Sequence, residues 1–207
     1  MDQTSRRKRC NDCLRPADHC LCASIPRLDC PVSVLVIQHP SEQHHALNTA
    51  RFLSLGLNQA TLLIAEMVPE SVAATLLDPE WRNELLFPGN DATVVEAAPQ
   101  DSRPRRLILL DGTWRKARRI LHLNPVLLEL PRVTLPAGLR SRYRLRKAPT
   151  PDALSTVEAG VAALGLIEPQ IDFAPLLRPF DLLIEGQIKA MGQSCYQRNY
   201  SSRQPGA

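Results

Sequence analysis

Apolar positions along this chain fall into two alternating patterns. Short continuous runs recur at residues 32–37 (VSVLVI), 60–64, 92–95, 107–110 (LILL) and 132–135. Runs of this length, the first rich in β-branched residues, predict strands covered on both faces, as in a parallel sheet. Helical spacing occupies the intervals: 48–55, closed by Gly56; 68–77; 114–123, closed by Pro125; 152–164; and 180–191. In the 114–123 segment Ile120 and Leu121 take one side, and Arg115, Lys116, Arg118 and Arg119 lie elsewhere. Strands alternating with helices predict an α/β fold, a mostly parallel sheet flanked by helices. Residues 1–30 break the pattern, being basic, cysteine-rich and short of aliphatics. The expected organisation is therefore a small module at 1–30, a main domain at 31–196 and a polar tail at 197–207. No internal repeat is visible.

Composition narrows the function. With 207 residues, 44% hydrophobic and 22% charged, the chain is globular in character. Aromatics are only 4%, which disfavours a protein reading nucleic acid chiefly by stacking bases on exposed rings. No apolar run approaches the roughly 18 residues of a membrane span, and no apolar segment of a secretory signal follows the basic start. A cytoplasmic location is expected, where the six cysteines would be reduced thiols or metal ligands. Between Arg103 and Lys147, 13 basic residues face only Asp111 and Glu129, a local net charge of +11. The rest of the chain must then carry −7 to reach the total of +4. An arginine-rich stripe on an otherwise acidic chain points to a polyanion such as RNA or DNA, the planar fork of arginine suiting phosphate oxygens.

Four features carry candidate chemistry. Cys10, Cys13, Cys20 and Cys22 place four thiols within thirteen residues, a segment too short to bury a core of its own. Tetrahedral Zn2+ would tie it together with no position left open for catalysis. An iron–sulfur cluster, free thiols, or His19 in place of one sulfur are the other readings. Asp111, Gly112, Thr113 and Trp114 stand at the end of an apolar strand and the start of a basic helix, where open α/β sheets bind ligands. Asp111 there is either a working carboxylate or a helix cap. Ser155 and Thr156 open another helix and either cap it or offer its free N–H groups to a ligand. Gln38 and His39 follow the first strand, with His39 either catalytic or a satisfied strand-end histidine. Neither a dinucleotide-binding fingerprint, a P-loop nor a zinc-protease motif is present.

These residues together resemble the DTW-domain family, the tRNA-uridine aminocarboxypropyltransferases, in its bacterial form. The likeness runs through Arg9-Cys10-x-x-Cys13 with Cys20-x-Cys22, Gln38-His39-Pro40-x-Glu42, Asn48-Thr49-Ala50-Arg51 and Leu86-Phe87-Pro88-Gly89. It continues through Asp111-Gly112-Thr113-Trp114, Ser141-x-Tyr143-Arg144-Leu145-Arg146-Lys147-x-Pro149 and Leu154-Ser155-Thr156-x-Glu158-Ala159. The resemblance implies a SPOUT-like α/β fold knotted toward its C-terminal half, with a structural zinc module. It implies S-adenosylmethionine as donor of a 3-amino-3-carboxypropyl group to a tRNA uridine, with 5′-methylthioadenosine released. On this reading Asp111 is the catalytic base. Leu109, Leu110, Gly112, Thr113, Trp114, Leu135, Pro136, Ser155, Thr156 and Glu158 hold the donor. Gln38, His39, Arg115, Lys116, Arg140, Arg142, Arg144, Arg146 and Lys147 meet tRNA. A methyltransferase of the same architecture and a non-catalytic zinc-ribbon RNA-binding protein are the competing readings. Nothing in the sequence demands a dimer.

Overall fold

The computed structural model of the protein describes residues 8–97, 101–145 and 153–200. In chain order the elements are β1 (Ser33–Gln38), α1 (Ala50–Gly56), β2 (Ala60–Ile64), α2 (Glu70–Leu76), β3 (Arg82–Leu86), β4 (Thr93–Val94), β5 (Arg105–Asp111), α3 (Trp114–Leu123), β6 (Arg132–Thr134), α4 (Thr156–Ile167), α5 (Arg178–Met191) and α6 (Gln193–Tyr200). The strands form one sheet of order β2-β1-β5-β3-β6-β4, and every described pairing is parallel. No described helix is long and apolar enough to cross a membrane.

Both faces of the sheet are buried, which explains the continuous apolar runs. In β1, Val34 and Val36 face one core with α1, α4 and α5, while Leu35 and Ile37 face a second with α2 and α3. In β5, Leu107 and Leu109 take the first side and Ile108 the second. The two-residue period of a strand thus distributes one apolar run over two cores.

Two elements escape the sequence pattern. Strand β3 begins Arg82-Asn83-Glu84, a polar stretch, yet Asn83 and Glu84 are buried. Glu84 is paired with Arg82 at 2.8 Å and with Arg105 of β5 at 2.6 Å, and Asn83 Nδ2 donates to the carbonyls of Thr75 and Leu76. Saturating these groups permits a polar segment inside a sheet. Helix α6 carries helical structure through residues 197–200, with Tyr196 buried and stacked on Tyr200.

The basic stripe is also redistributed. Arg105 and Arg106 lie at the start of β5, the opposite end of that strand from Asp111. Arg105 is bound to Glu84, Arg106 sits 4.3 Å over the Trp81 ring, and Arg103 is bonded to Asp101. Arg105 and Arg106 are thus structural, whereas Arg103 is exposed in a local pair, so the polyanion reading rests mainly on arginines further along the chain.

Candidate functional site

Helix α1, which follows β1, packs in the first core, and α3, which follows β5, in the second. Adjacent parallel strands whose following helices part to opposite faces leave a crevice at their carboxyl ends, the usual ligand position in open α/β sheets. Gln38 and Asp111 are register partners there.

Asp111 is buried at 9% exposure and Gln38 at 0%. Gln38 Nε2 donates to Asp111 Oδ2 at 2.7 Å, and Thr156 Oγ1, in the first turn of α4, donates to Asp111 Oδ1 at 2.5 Å. Both donors are neutral groups. The chain leaves Asp111 through Gly112, whose φ of +155° suits glycine. A Cβ at Gly112 would also stand 3.0 Å from Lys116 Cβ. Thr113 then caps α3, accepting from the Lys116 N–H.

His39 is a fixed strand-end residue. Its Nδ1 accepts from the Ser41 N–H at 3.2 Å, so Nε2 carries the proton it shares with Glu66 at 2.5 Å. The hydrogen bond from Arg119 is the largest effect on the Glu66 carboxyl and, with a smaller contribution from His39, outweighs burial and holds it below its ordinary value. Lys116 Nζ is engaged with Glu42 at 2.6 Å. Of the two residues expected at a tRNA surface, Gln38 is fully buried against Asp111, and His39 is half-buried between Ser41 and Glu66.

Beside Asp111 opens a cavity of about 340 Å³. Its walls are Leu86–Pro88, Leu109, Leu110, Gly112, Trp114, Ala117, residues 134–139, Ala153, Leu154, Thr156 and Ala159. Trp114 stands partly exposed, edge-on to Phe87 at 5.9 Å between ring centroids. A mostly apolar wall with backbone polar groups and a few hydroxyls is suited to a small ligand with a flat apolar part and polar ends. Of the expected donor-binding residues, Leu109, Leu110, Gly112, Trp114, Leu135, Pro136 and Thr156 line it.

Thr113, Ser155 and Glu158 are outside the lining, and each has a structural task. Ser155 and Glu158 form a capping box at the start of α4. Buried Glu158 also accepts from Ser141 Oγ and from the Arg142 N–H at 2.6 Å. It thereby fastens the segment that follows the cavity wall 134–139. The sequence supplies Leu86-Phe87-Pro88 as a motif without a task; the structure makes it wall. Ala137–Leu139 and Leu154 carried no chemical signal, because they contribute shape and backbone only.

Arg115 and Arg140 are exposed. Arg142 and Arg144 are exposed and paired with Asp181 and Glu185 of α5 at 3.1 and 2.9 Å. Arg146 and Lys147 lie outside the described residues.

The four N-terminal cysteines form a second centre. Their sulfurs all lie within 4.8 Å of one another, with Cys10–Cys22 at 3.6 Å and Cys13–Cys20 at 3.8 Å. Sulfurs placed about 2.3 Å from a central Zn2+ in a tetrahedron stand about 3.8 Å apart, so the set fits that ion. Leu14, with φ of +57°, makes the tight turn after Cys13, and its N–H donates to Cys10 O. Backbone N–H groups of Cys13 and Asp12 bring the Cys10 thiol down to about 7, while burial and the neighbouring thiols push Cys22 up. His19 is exposed beside Asp18 and outside the cluster. Arg15 Nη1 donates to Ala46 O and Arg51 Nη1 to Asp12 O, joining this segment to the loop and helix after β1. Leu21, Ile25 and Leu28 pack against the larger core.

Residues 7–188 match the DTW domain. Over 196 residues the chain is 32% identical to a Drosophila melanogaster protein named tRNA-uridine aminocarboxypropyltransferase 2, covering 90% of this chain and 78% of that one. A Mus musculus protein of the same name is 32% identical over 213 residues, 98% of this chain and 71% of its own. An Arabidopsis thaliana protein named tRNA-uridine aminocarboxypropyltransferase A is 28% identical over 199 residues, 81% of this chain and 75% of its own. No solved structure matches the chain.

Proposed function

The chain belongs to the DTW domain family, and on that premise we propose that it is a tRNA-uridine aminocarboxypropyltransferase. The donor in this proposal is S-adenosylmethionine, and the acceptor is the uracil ring nitrogen between the two carbonyls. One observation carries the reading: a buried carboxylate at the sheet's switch point adjoins a 340 Å³ apolar cavity.

The donor's sulfonium supplies an electrophilic carbon on each of three arms, so the arm facing the acceptor decides the product. The uracil nitrogen forms its bond to the terminal side-chain carbon of the aminocarboxypropyl arm. The bond from that carbon to sulfur breaks, and its electron pair stays on sulfur as methylthioadenosine. Asp111 is the group that takes up the proton the uracil loses, whether directly or through a neighbour, a general-base contribution of about a hundred- to ten-thousandfold. The apolar walls at Leu86–Pro88 and residues 134–139 would hold the adenosine, with backbone groups reading its polar edges. The SPOUT-like knot toward the C-terminal half belongs to the same proposal.

Exposed Arg115, Arg140, Arg142 and Arg144 would track tRNA phosphates, giving affinity without base specificity. Cys10, Cys13, Cys20 and Cys22 would hold a structural Zn2+ that shapes the N-terminal segment and takes no part in transfer. The experiment is nucleoside mass spectrometry of tRNA from cells with and without the gene. An aminocarboxypropyl-uridine that disappears with the gene supports the reading. An unchanged nucleoside profile rejects it.

A further inference from the structure

Asp111 is not itself part of the cavity lining, whereas Thr156 both lines the cavity and donates to Asp111 Oδ1. That order of groups, cavity then hydroxyl then carboxylate, has a chemical consequence. A hydroxyl carries one proton and two acceptor lone pairs. With its proton committed to Asp111, Thr156 Oγ1 presents only acceptor capacity toward whatever stands in the cavity.

The other oxygen of that carboxylate is held as well. Gln38 Nε2 donates to the other oxygen, Oδ2, at 2.7 Å. Asn48 fixes the orientation of that amide, accepting from Gln38 Nε2 at 3.2 Å through Oδ1 and donating to Gln38 Oε1 at 3.3 Å through Nδ2. Asn48 Nδ2 is itself anchored on Glu42 O at 3.2 Å. A flipped Gln38 would set oxygen against carboxylate oxygen and nitrogen against the Asn48 amide nitrogen. The position of Thr156 is set independently by the Ser155–Glu158 capping box one residue away.

We propose that Thr156 is the catalytic residue that takes the proton from the acceptor, passing its own hydroxyl proton to Asp111 in the same step. This rests on the transferase reading above. As the new carbon–nitrogen bond forms, the ring N–H proton moves to Thr156 Oγ1 and the Thr156 hydroxyl proton moves to Asp111 Oδ1. Asp111 ends protonated and Thr156 is unchanged. Gln38 is a positioning residue, acting through Asp111 without touching the substrate.

Single-turnover transfer to tRNA and donor affinity by calorimetry test this in the full-length protein. Thr156→Val keeps the shape and deletes the hydroxyl. It should lower the transfer rate about a hundredfold or more while the dissociation constant for S-adenosylmethionine moves less than about threefold. Thr156→Ser should return the rate to within about tenfold of wild type. A Thr156→Val protein transferring at near wild-type rate while Asp111→Asn is inactive overturns the relay and leaves Asp111 as the direct base. Asp111→Asn transferring normally removes the base reading itself, and the relay with it. Donor affinity falling in step with rate in Thr156→Val, or no recovery in Thr156→Ser, makes Thr156 a binding or structural residue and overturns the proposal.

Discussion

Asp111 and Glu84 are both buried carboxylates, and only one of them could be found without the structure. Asp111 ends a run of aliphatic residues and is followed by glycine, so its place at a strand end could be read directly. Glu84 sits in a polar stretch that reads as loop. Its burial becomes intelligible only when Arg105, 21 positions away, is brought to it by β-pairing. The same distance problem hid the task of Gln38, whose partner Asp111 is 73 residues on. Local patterns report periodicity, whereas a satisfied buried polar group depends on partners that only the fold assembles. Removing one member of a buried ion pair leaves the other charge without compensation. Glu84→Ala should therefore lower the stability to urea by about 3 kcal/mol, with donor affinity in the folded fraction little changed. A loss below about 0.5 kcal/mol would place Glu84 among ordinary surface residues.

At the scale of elements, strands and helices with strong periodicity were legible, and α3 and β2 occur at the predicted limits. Strand β3 was not, for the reason just given, and α6 was not because its face toward the core is little more than Tyr196. The capping box of α4 illustrates a signal with two meanings. Ser155 was read as either a helix cap or a ligand contact, with Glu158 added to the donor site by the resemblance; in the structure both serve the helix start and Glu158 the 141–142 backbone. The cysteine segment was legible by spacing alone, and its geometry agrees with a tetrahedral ion. Elemental analysis of the purified protein should find about one zinc per chain, and Cys13→Ser should lose it. Because Arg15 reaches Ala46 O from this segment, the zinc-free variant should also show faster amide exchange in the loop after β1. Zinc retained at full stoichiometry in Cys13→Ser would exclude Cys13 as a ligand.

For the whole molecule, the stripe of +11 promised a continuous basic face, and the fold divides it. Arg105 and Arg106 are taken up by Glu84 and Trp81 and Arg119 by Glu66, while Arg115 and Arg118 of α3 and Arg140, Arg142 and Arg144 stay exposed. Charge counting along a sequence cannot distinguish an arginine that faces a phosphate from one that closes a core. Arg142 and Arg144 now rest on Asp181 and Glu185 in exposed pairs of the kind worth under about 1 kcal/mol each, which RNA phosphates can replace. Replacing both arginines by alanine should weaken tRNA binding and reduce the slope of log affinity against log salt by about 1 to 2. An unchanged slope would move the tRNA to another face. The account as a whole turns on which arm of the donor reaches the uridine. Purified enzyme, unmodified tRNA and S-adenosylmethionine carrying distinct isotopes in its methyl group and its carboxyl group provide the direct measurement. The account predicts the carboxyl label in tRNA and the methyl label in released methylthioadenosine. Methyl label in tRNA, with S-adenosylhomocysteine released, would contradict it.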